Sequence, residues 1–356
     1  MSSHPAFAAF VTGSVALLAG CVAQVARPSP AYLDEVQAPG PLAARLDNAL
    51  GTMAKRGFSG TVLVAQGTHM VLYKGYGYAD QEHKVRATAQ TRYPLGAIAN
   101  QFTAVAVLGL ESEGKLAAGA NAGRYDPAAA PAVADQTLSQ LLTRSGEPIE
   151  YAKGDGVVAP ASYHGPNGTL ALPLEEQFRG EGNSYQELEA IVARVTGEDF
   201  DRYRQVRVLD PARMTRTIEA SDATAGDHLA MGRSFGRSTP VMAQGLVAPL
   251  ADLYRWHLAL EGNAELDAWG RQAMQTPGEN GYAPGWVVSK TAGGATLFQH
   301  VGDTEGFQIW SAWLPGDDTV ILLAVNSDIG WRNLASQVLL GVLAPPGSSV
   351  TSTASR

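Results

Sequence analysis

The stretch GAIANQFTAVAVLGLESEGKL, residues 96–116, decides how the rest of the chain is read. It has the pattern of a helix with an apolar stripe, entered through a glycine. Ala97 and Asn100 stand at its first turn, three residues apart and therefore on one face. An alanine has no lone pair with which to attack a substrate. A neutral side-chain amide is no useful base near neutral pH.

Upstream, residues 41–56 read as a helix, with Leu42, Leu46, Leu50 and Met53 on one face and Gly57 as its stop. Two β-rich runs follow, 61–65 and 70–73, joined by Gln66-Gly67-Thr68-His69, which is a hairpin signal. From Gln101 the pattern turns largely helical. Residues 184–196 carry Leu188, Ile191, Val192 and Val195 at helical spacing, and 245–260 is a further helix candidate. Strand signals return after about residue 280, over 285–289, 296–300, 307–314 and 319–325. A last helix, 331–343, presents Trp331, Leu334, Val338 and Val342 as its core face. The economical arrangement is an α+β domain of the α/β sandwich type. One antiparallel sheet is built from both chain ends and flanked by the terminal helices, with a mainly helical subdomain inserted. The domain spans 41–343, its sheet part about 41–95 and 281–343 and its helical part about 96–280. A cleft between the two parts is the expected binding place.

The 356 residues are 45% hydrophobic and 17% charged, an ordinary globular composition. A net charge of −8 with no basic run gives a nucleic-acid role no support. The one cysteine, Cys21, rules out a disulfide within the chain and a thiolate metal cluster. It follows the apolar run AFAAFVTGSVALLA, residues 6–19, which is short for a membrane span and suits an export signal. Leu18-Ala19-Gly20-Cys21 resembles the bacterial lipobox. That resemblance implies a signal peptide over 1–20, a lipidated Cys21 and a protein held outside the cytoplasm by acyl chains. The alternative is an ordinary cleaved signal with an incidental cysteine. Residues 21–40 read as a Pro- and Ala-rich tether, and 344–356 as a disordered tail. The histidines, among them His83, His164, His228 and His257, show no metal-ligand spacing, so neither metal nor cofactor is expected.

Several strings in order resemble the serine β-lactamase-like family, which includes class C β-lactamases, D-Ala-D-Ala peptidases and related esterases. FSGTVLVAQGTHMVLYKGYGYAD is similar to its opening hairpin and YPLGAIANQFTAVAVLGLESEGKL to its nucleophile helix. LSQLLTRSGEP is similar to the segment usually read LLTHTSG. EAIVARVTGEDFDRYRQVRVLDPARMTRT resembles the stretch after the second motif, and QHVGDTEGF the third motif with the strand after it. The resemblance implies a serine at a helix start, a lysine one turn on as base, a tyrosine that helps move the proton, and two backbone N–H groups as an oxyanion hole. Carried over residue by residue, the nucleophile position is Ala97 and the base position Asn100. Phe178 to Tyr185 matches the second motif, with Gly180 for its tyrosine and Gly182 for its asparagine, and Asn183 one place off. The third motif is His300-Val301-Gly302, followed by Asp303, whose charge disfavours an anionic ligand unless it points away.

The resemblance therefore implies the family's frame without its acyl-serine chemistry. The leading expectation is a lipid-anchored pseudoenzyme facing the periplasm or cell exterior. It binds a peptide, a cell-wall fragment or an envelope protein in a cleft that Gly180 and Gly182 open to bulkier ligands. A hydrolase using another nucleophile or a water, and a structural lipoprotein with a vestigial cleft, are the alternatives. Ser145 and Ser184 lie near the expected cleft but have no local base, and read as ordinary polar residues. Lys290-Thr291-Ala292-Gly293 reads as a turn between two strands.

Overall fold

The computed structural model describes residues 35–145, 163–165, 168–170, 183–224, 227–234, 237–241, 245–262, 266–291, 294–326 and 331–343. Cys21, the signal segment, the tail, Gly180 and Gly182 lie outside the described residues.

The two ends of the domain meet in one sheet. The first strands are β1 (Val36–Gln37), β2 (Gly60–Gln66) and β3 (His69–Tyr76). A small inner sheet uses β4 (Tyr93–Pro94), β5 (Ile218–Glu219) and β6 (Leu246–Ala248). The last strands are β7 (Tyr282–Ala283), β8 (Trp286–Lys290), β9 (Thr296–Thr304), β10 (Phe307–Leu314) and β11 (Thr319–Val325). The large sheet has eight strands in the order β1-β3-β2-β11-β10-β9-β8-β7, every pair antiparallel. Chain start and chain end join where β2 lies against β11, from Gly60 opposite Val325 to Gln66 opposite Thr319.

Helices cover both faces. They are α1 (Pro41–Ala54), α2 (Asn100–Ser112), α3 (Leu138–Leu142), α4 (Asn183–Thr196), α5 (Leu250–Glu261) and α6 (Trp331–Leu343). Strand alternation divides the core. In β11, Ile321, Leu323 and Val325 face α1 and α6, together with Leu46, Leu50, Trp310 and Leu339. Val320, Leu322 and Ala324 face the helical block, where Phe102, Leu253, Tyr254 and Trp256 sit. Burial on both faces explains why this strand reads as an unbroken apolar run.

Four expectations are corrected. Residues 36–37, at the end of the expected tether, pair with Tyr73 and Leu72 as an edge strand, and Glu35 accepts the Gly75 N–H at 3.1 Å. The 245–260 segment is not one helix. Leu246–Ala248 is strand β6, and α5 starts only after Pro249. Proline disfavours helical backbone in the residue before it, so Ala248 stays extended and pairs with Tyr93. The block read as mainly helical thus contributes two strands, β5 and β6, to a small sheet that β4 from the preceding part completes. In α6 the buried residues include Arg332, Ala335, Ser336 and Leu339, while Trp331, Leu334, Val338 and Val342 are half-buried beside the core. Small side chains at 335 and 336 occupy the buried face, and the larger apolar ones flank it. Finally, β9 continues past His300 to Thr304, turning only at Gly306, whose φ is +80°.

Candidate active site

The inner sheet sets the entry to α2. The Leu95 N–H donates to the Leu246 carbonyl at 2.8 Å, just before a 3₁₀ turn over Gly96–Ala99 that leads into α2. Gly96 has φ +51°, a conformation a side chain disfavours. It lies hard against β9: a Cβ there would come within 3.1 Å of the Gly302 Cα and 3.2 Å of the Asp303 nitrogen. A Cβ on Gly302 would fall 1.9 Å from the Leu95 carbonyl oxygen. Two glycines thus let the backbone before Ala97 touch the backbone at 302–303. The resemblance places its two N–H donors at this junction.

Ala97 and Asn100 are both half-buried at this turn. No side chain caps the start of α2 and no acidic residue lies in its first turn, so the positive end of the helix dipole is uncompensated by this helix's own residues. Behind the turn, α2 is fixed by Gln101, whose amide oxygen accepts the Trp256 indole N–H at 2.8 Å. The Phe102 ring meets Trp256 edge-on at 4.8 Å.

Asn100 opens a hydrogen-bonded chain. Its Nδ2 donates to the Tyr282 hydroxyl at a long 3.4 Å, and that hydroxyl lies 2.9 Å from His300 Nε2. His300 Nδ1 faces the Val301 carbonyl at 3.0 Å. A carbonyl only accepts, so this network assigns the ring proton to Nδ1, and Nε2 accepts a hydrogen bond from the Tyr282 hydroxyl. Burial pushes the His300 imidazole down to about 4, keeping the ring neutral near pH 7. Burial also raises Tyr282 above the ordinary phenol range, so it stays protonated.

Two neighbours complete the site. Tyr185, in the first turn of α4, donates to the Leu142 carbonyl and accepts the Gly285 N–H, each at 2.8 Å. It ties α3, α4 and the β7–β8 turn together behind the cleft. Arg144, just past α3, is buried with φ +51°, and its guanidinium lies 5.5 Å from the Tyr282 ring centre. Sequence reasoning did not single out Tyr282 or Arg144. Each is more than 40 positions from Asn100, and only the fold brings them near.

The remaining expected residues fall as follows. His300 and Gly302 face α2. Alternation puts Val301 and Asp303 on the other face, where Val301 joins the core beside α6. The Asp303 carboxylate accepts from Gln308 at 3.0 Å and points away from the cleft. Asn183 begins α4, next to the motif positions that lie outside the described residues. Ser145 is exposed, its hydroxyl 2.7 Å from that of Thr143, and Ser184 is buried in the first turn of α4. Lys290 pairs across the hairpin with Thr296, at the first residue of β9 and away from His300 in the middle of the strand. Among the described residues no group of three or more His, Cys, Asp or Glu is placed to hold a metal ion.

The mixed sheet-and-helix architecture, with the start of α2 pressed against β9 at Gly96 and Gly302, defines the class of this protein. The profile of the Beta-lactamase family matches residues 46–338, and the chain belongs to that family. It is 25% identical over 288 residues to the putative penicillin-binding protein PbpX of Bacillus subtilis, covering 76% of this chain and 71% of that one. It is 24% identical over 312 residues to protein flp of Staphylococcus aureus. This match takes in 75% of the present chain, which spans only 60% of the length of flp. The fold is also similar to the crystal structure of FmtA from Staphylococcus aureus, with a TM-score of 0.67 at 18% identity, over 90% of this chain and 93% of that one.

Proposed function

We propose that this chain is an exported, lipid-anchored member of the family that has lost acyl-serine chemistry. It works by binding a peptide, a cell-wall fragment or an envelope protein in the cleft. The observation that carries the reading is the first turn of α2. A methyl group stands at Ala97, and Asn100 presents a neutral amide that reaches the Tyr282 hydroxyl. The close approach of Gly96 to Gly302 supports a cleft whose backbone is kept while its reactive groups are gone. Relatives named for penicillin binding support an envelope setting, and Cys21 supplies the anchor.

A hydrolase using water has one observation in its favour, the buried Tyr282–His300 pair. The accepting nitrogen of His300 is already occupied by the Tyr282 hydroxyl, so a water has no free base there. A structural lipoprotein with a vestigial cleft has no comparable support.

The test is thermal unfolding of the purified protein with purified muropeptides and envelope peptides. A ligand at about a hundred times its dissociation constant adds about 2.7 kcal/mol, a rise of several degrees. That rise disappears in Ala97→Phe, which fills the cleft floor. A full panel with no shift removes the binding reading.

A further inference from the structure

Past its first turn, α2 lines a groove of about 220 Å³. None of Ala97, Asn100, Tyr282 and His300 belongs to it. Val105 and Ala106 of α2, with Val208 and Leu266 opposite, form its apolar walls, and all four are buried. Gly109 keeps the groove open. A Cβ there would meet nothing within 4 Å, so close packing does not demand a glycine. The helix does not favour one either, since glycine weakens a helix interior relative to alanine. Val208 belongs to a π-helical turn, Gln205–Leu209, and such turns recur at functional positions.

The polar groups of the groove are of two kinds. Those at the rim are already satisfied. Glu113 is paired with Lys115 at 2.7 Å and with Arg207 at 2.5 Å. Asp267 accepts from the Ser112 hydroxyl at 3.0 Å and from the Gly270 N–H at 2.7 Å. A charged ligand would have to break one of these contacts or lose its water without a partner. The inner polar group is different. Tyr203 lines the groove, is only 7% exposed, and makes no hydrogen bond among the described residues. Burial raises its phenol above the ordinary range, so it keeps its proton and can only gain by donating it to an acceptor. A buried donor of this kind without a partner is uncommon in a folded protein.

Size completes the description. An apolar cavity of about 150 Å³ is enough to bind benzene. At about 220 Å³ the groove has room for such a ring with a small substituent. We propose that this groove is a second small-molecule site, which takes an uncharged, ring-sized ligand between its apolar walls and sets the ligand's oxygen acceptor on the Tyr203 hydroxyl. The paired rim excludes ions, and the unpartnered hydroxyl fixes the orientation. The site does not depend on the reading given to the cleft at Ala97.

Benzamide is the probe, because it joins a ring to an uncharged carbonyl acceptor. Benzoate has nearly the same shape and a full charge. Ligand-observed NMR titrations on the purified protein measure both. Benzamide is expected to bind with a dissociation constant of about 1–10 mM, ordinary for a ligand of this size, and benzoate at least about tenfold more weakly. Tyr203→Phe removes the donor but keeps the ring, and weakens benzamide by about threefold to tenfold. Gly109→Leu fills the groove and abolishes binding, while its urea midpoint stays at or above that of the parent. Absence of benzamide binding up to about 20 mM, equal affinity for benzoate, or an affinity indifferent to Tyr203→Phe or to Gly109→Leu overturns the proposal.

Discussion

Lowering the pH from 7 to about 4.5 is expected to cost this protein a large part of its stability, through two buried histidines. His257 and His300 are 6% and 2% exposed, and burial holds each imidazole down to about 4 from an ordinary 6.5. His257 lies edge-on to the Trp313 ring at 5.4 Å, and His300 is held by Tyr282. The unfolded chain takes up a proton at each near 6.5, whereas the folded chain refuses it until about 4. Their contribution is therefore complete above 6.5 and is lost as the pH falls towards 4. At about 1.4 kcal/mol per unit for each group, the pair removes on the order of 5 kcal/mol by pH 4.5. Asp252 and Glu219, raised by burial, act in the opposite sense and soften the slope. A typical domain has only about 5–15 kcal/mol in total. Urea midpoints measured from pH 7 to 4.5 give the slope, and His257→Gln should roughly halve it. A flat profile over that range would mean that both rings are charged or hydrated in the native protein.

Gly302→Ala and Gly109→Ala should have opposite signs, although each adds one methyl group. At 302 the new Cβ would lie 1.9 Å from the Leu95 carbonyl oxygen and 2.8 Å from its carbon. Neither backbone is free to retreat. Gly302 is held in β9 opposite Ile309, and Leu95 is tied to Leu246. The cost is about 3 kcal/mol or more, at the upper end for overpacking, because the clash is with main chain rather than a side chain that can turn away. The damage also falls on the junction beneath Ala97, so any ligand shift should vanish with it. At 109 nothing lies within 4 Å, and the helix gains roughly 0.5–1 kcal/mol. Urea unfolding of the two variants beside the parent checks both signs. Equal midpoints for Gly302→Ala and the parent would show that the 96–302 contact is looser than described.

Much of the fold was legible because its signals are local. The hairpin at 67–68, the strands Phe307–Leu314 and Thr319–Val325, and the helix Trp331–Leu343 all follow from short-range periodicity and turn residues. The misreadings occurred where tertiary contacts decide. Leu246–Ala248 is apolar enough for either state, and only pairing with Tyr93 and Glu219 makes it a strand. The face of Trp331–Leu343 was misplaced because Ala335 and Ser336, which lie buried, carry little hydrophobic signal. For the site, the first turn of α2 and His300-Val301-Gly302 were visible as motifs. Tyr282 was not, because its partners Asn100 and His300 lie 182 and 18 residues away in sequence. The orientation of Asp303 was also beyond sequence reading, as it depends on which face of β9 meets α2.

The central claim is that this cleft cannot form an acyl-enzyme. In a serine protease, loss of the nucleophile alone removes about 10⁶ in turnover, and further losses in the same set add little. The most direct measurement is the intact mass of the purified protein, denatured after incubation with a reactive β-lactam and with an activated ester. The account predicts an unchanged mass in both cases. A stoichiometric adduct mapped to a single serine or threonine would contradict it, because the cleft would then hold a working nucleophile other than residue 97.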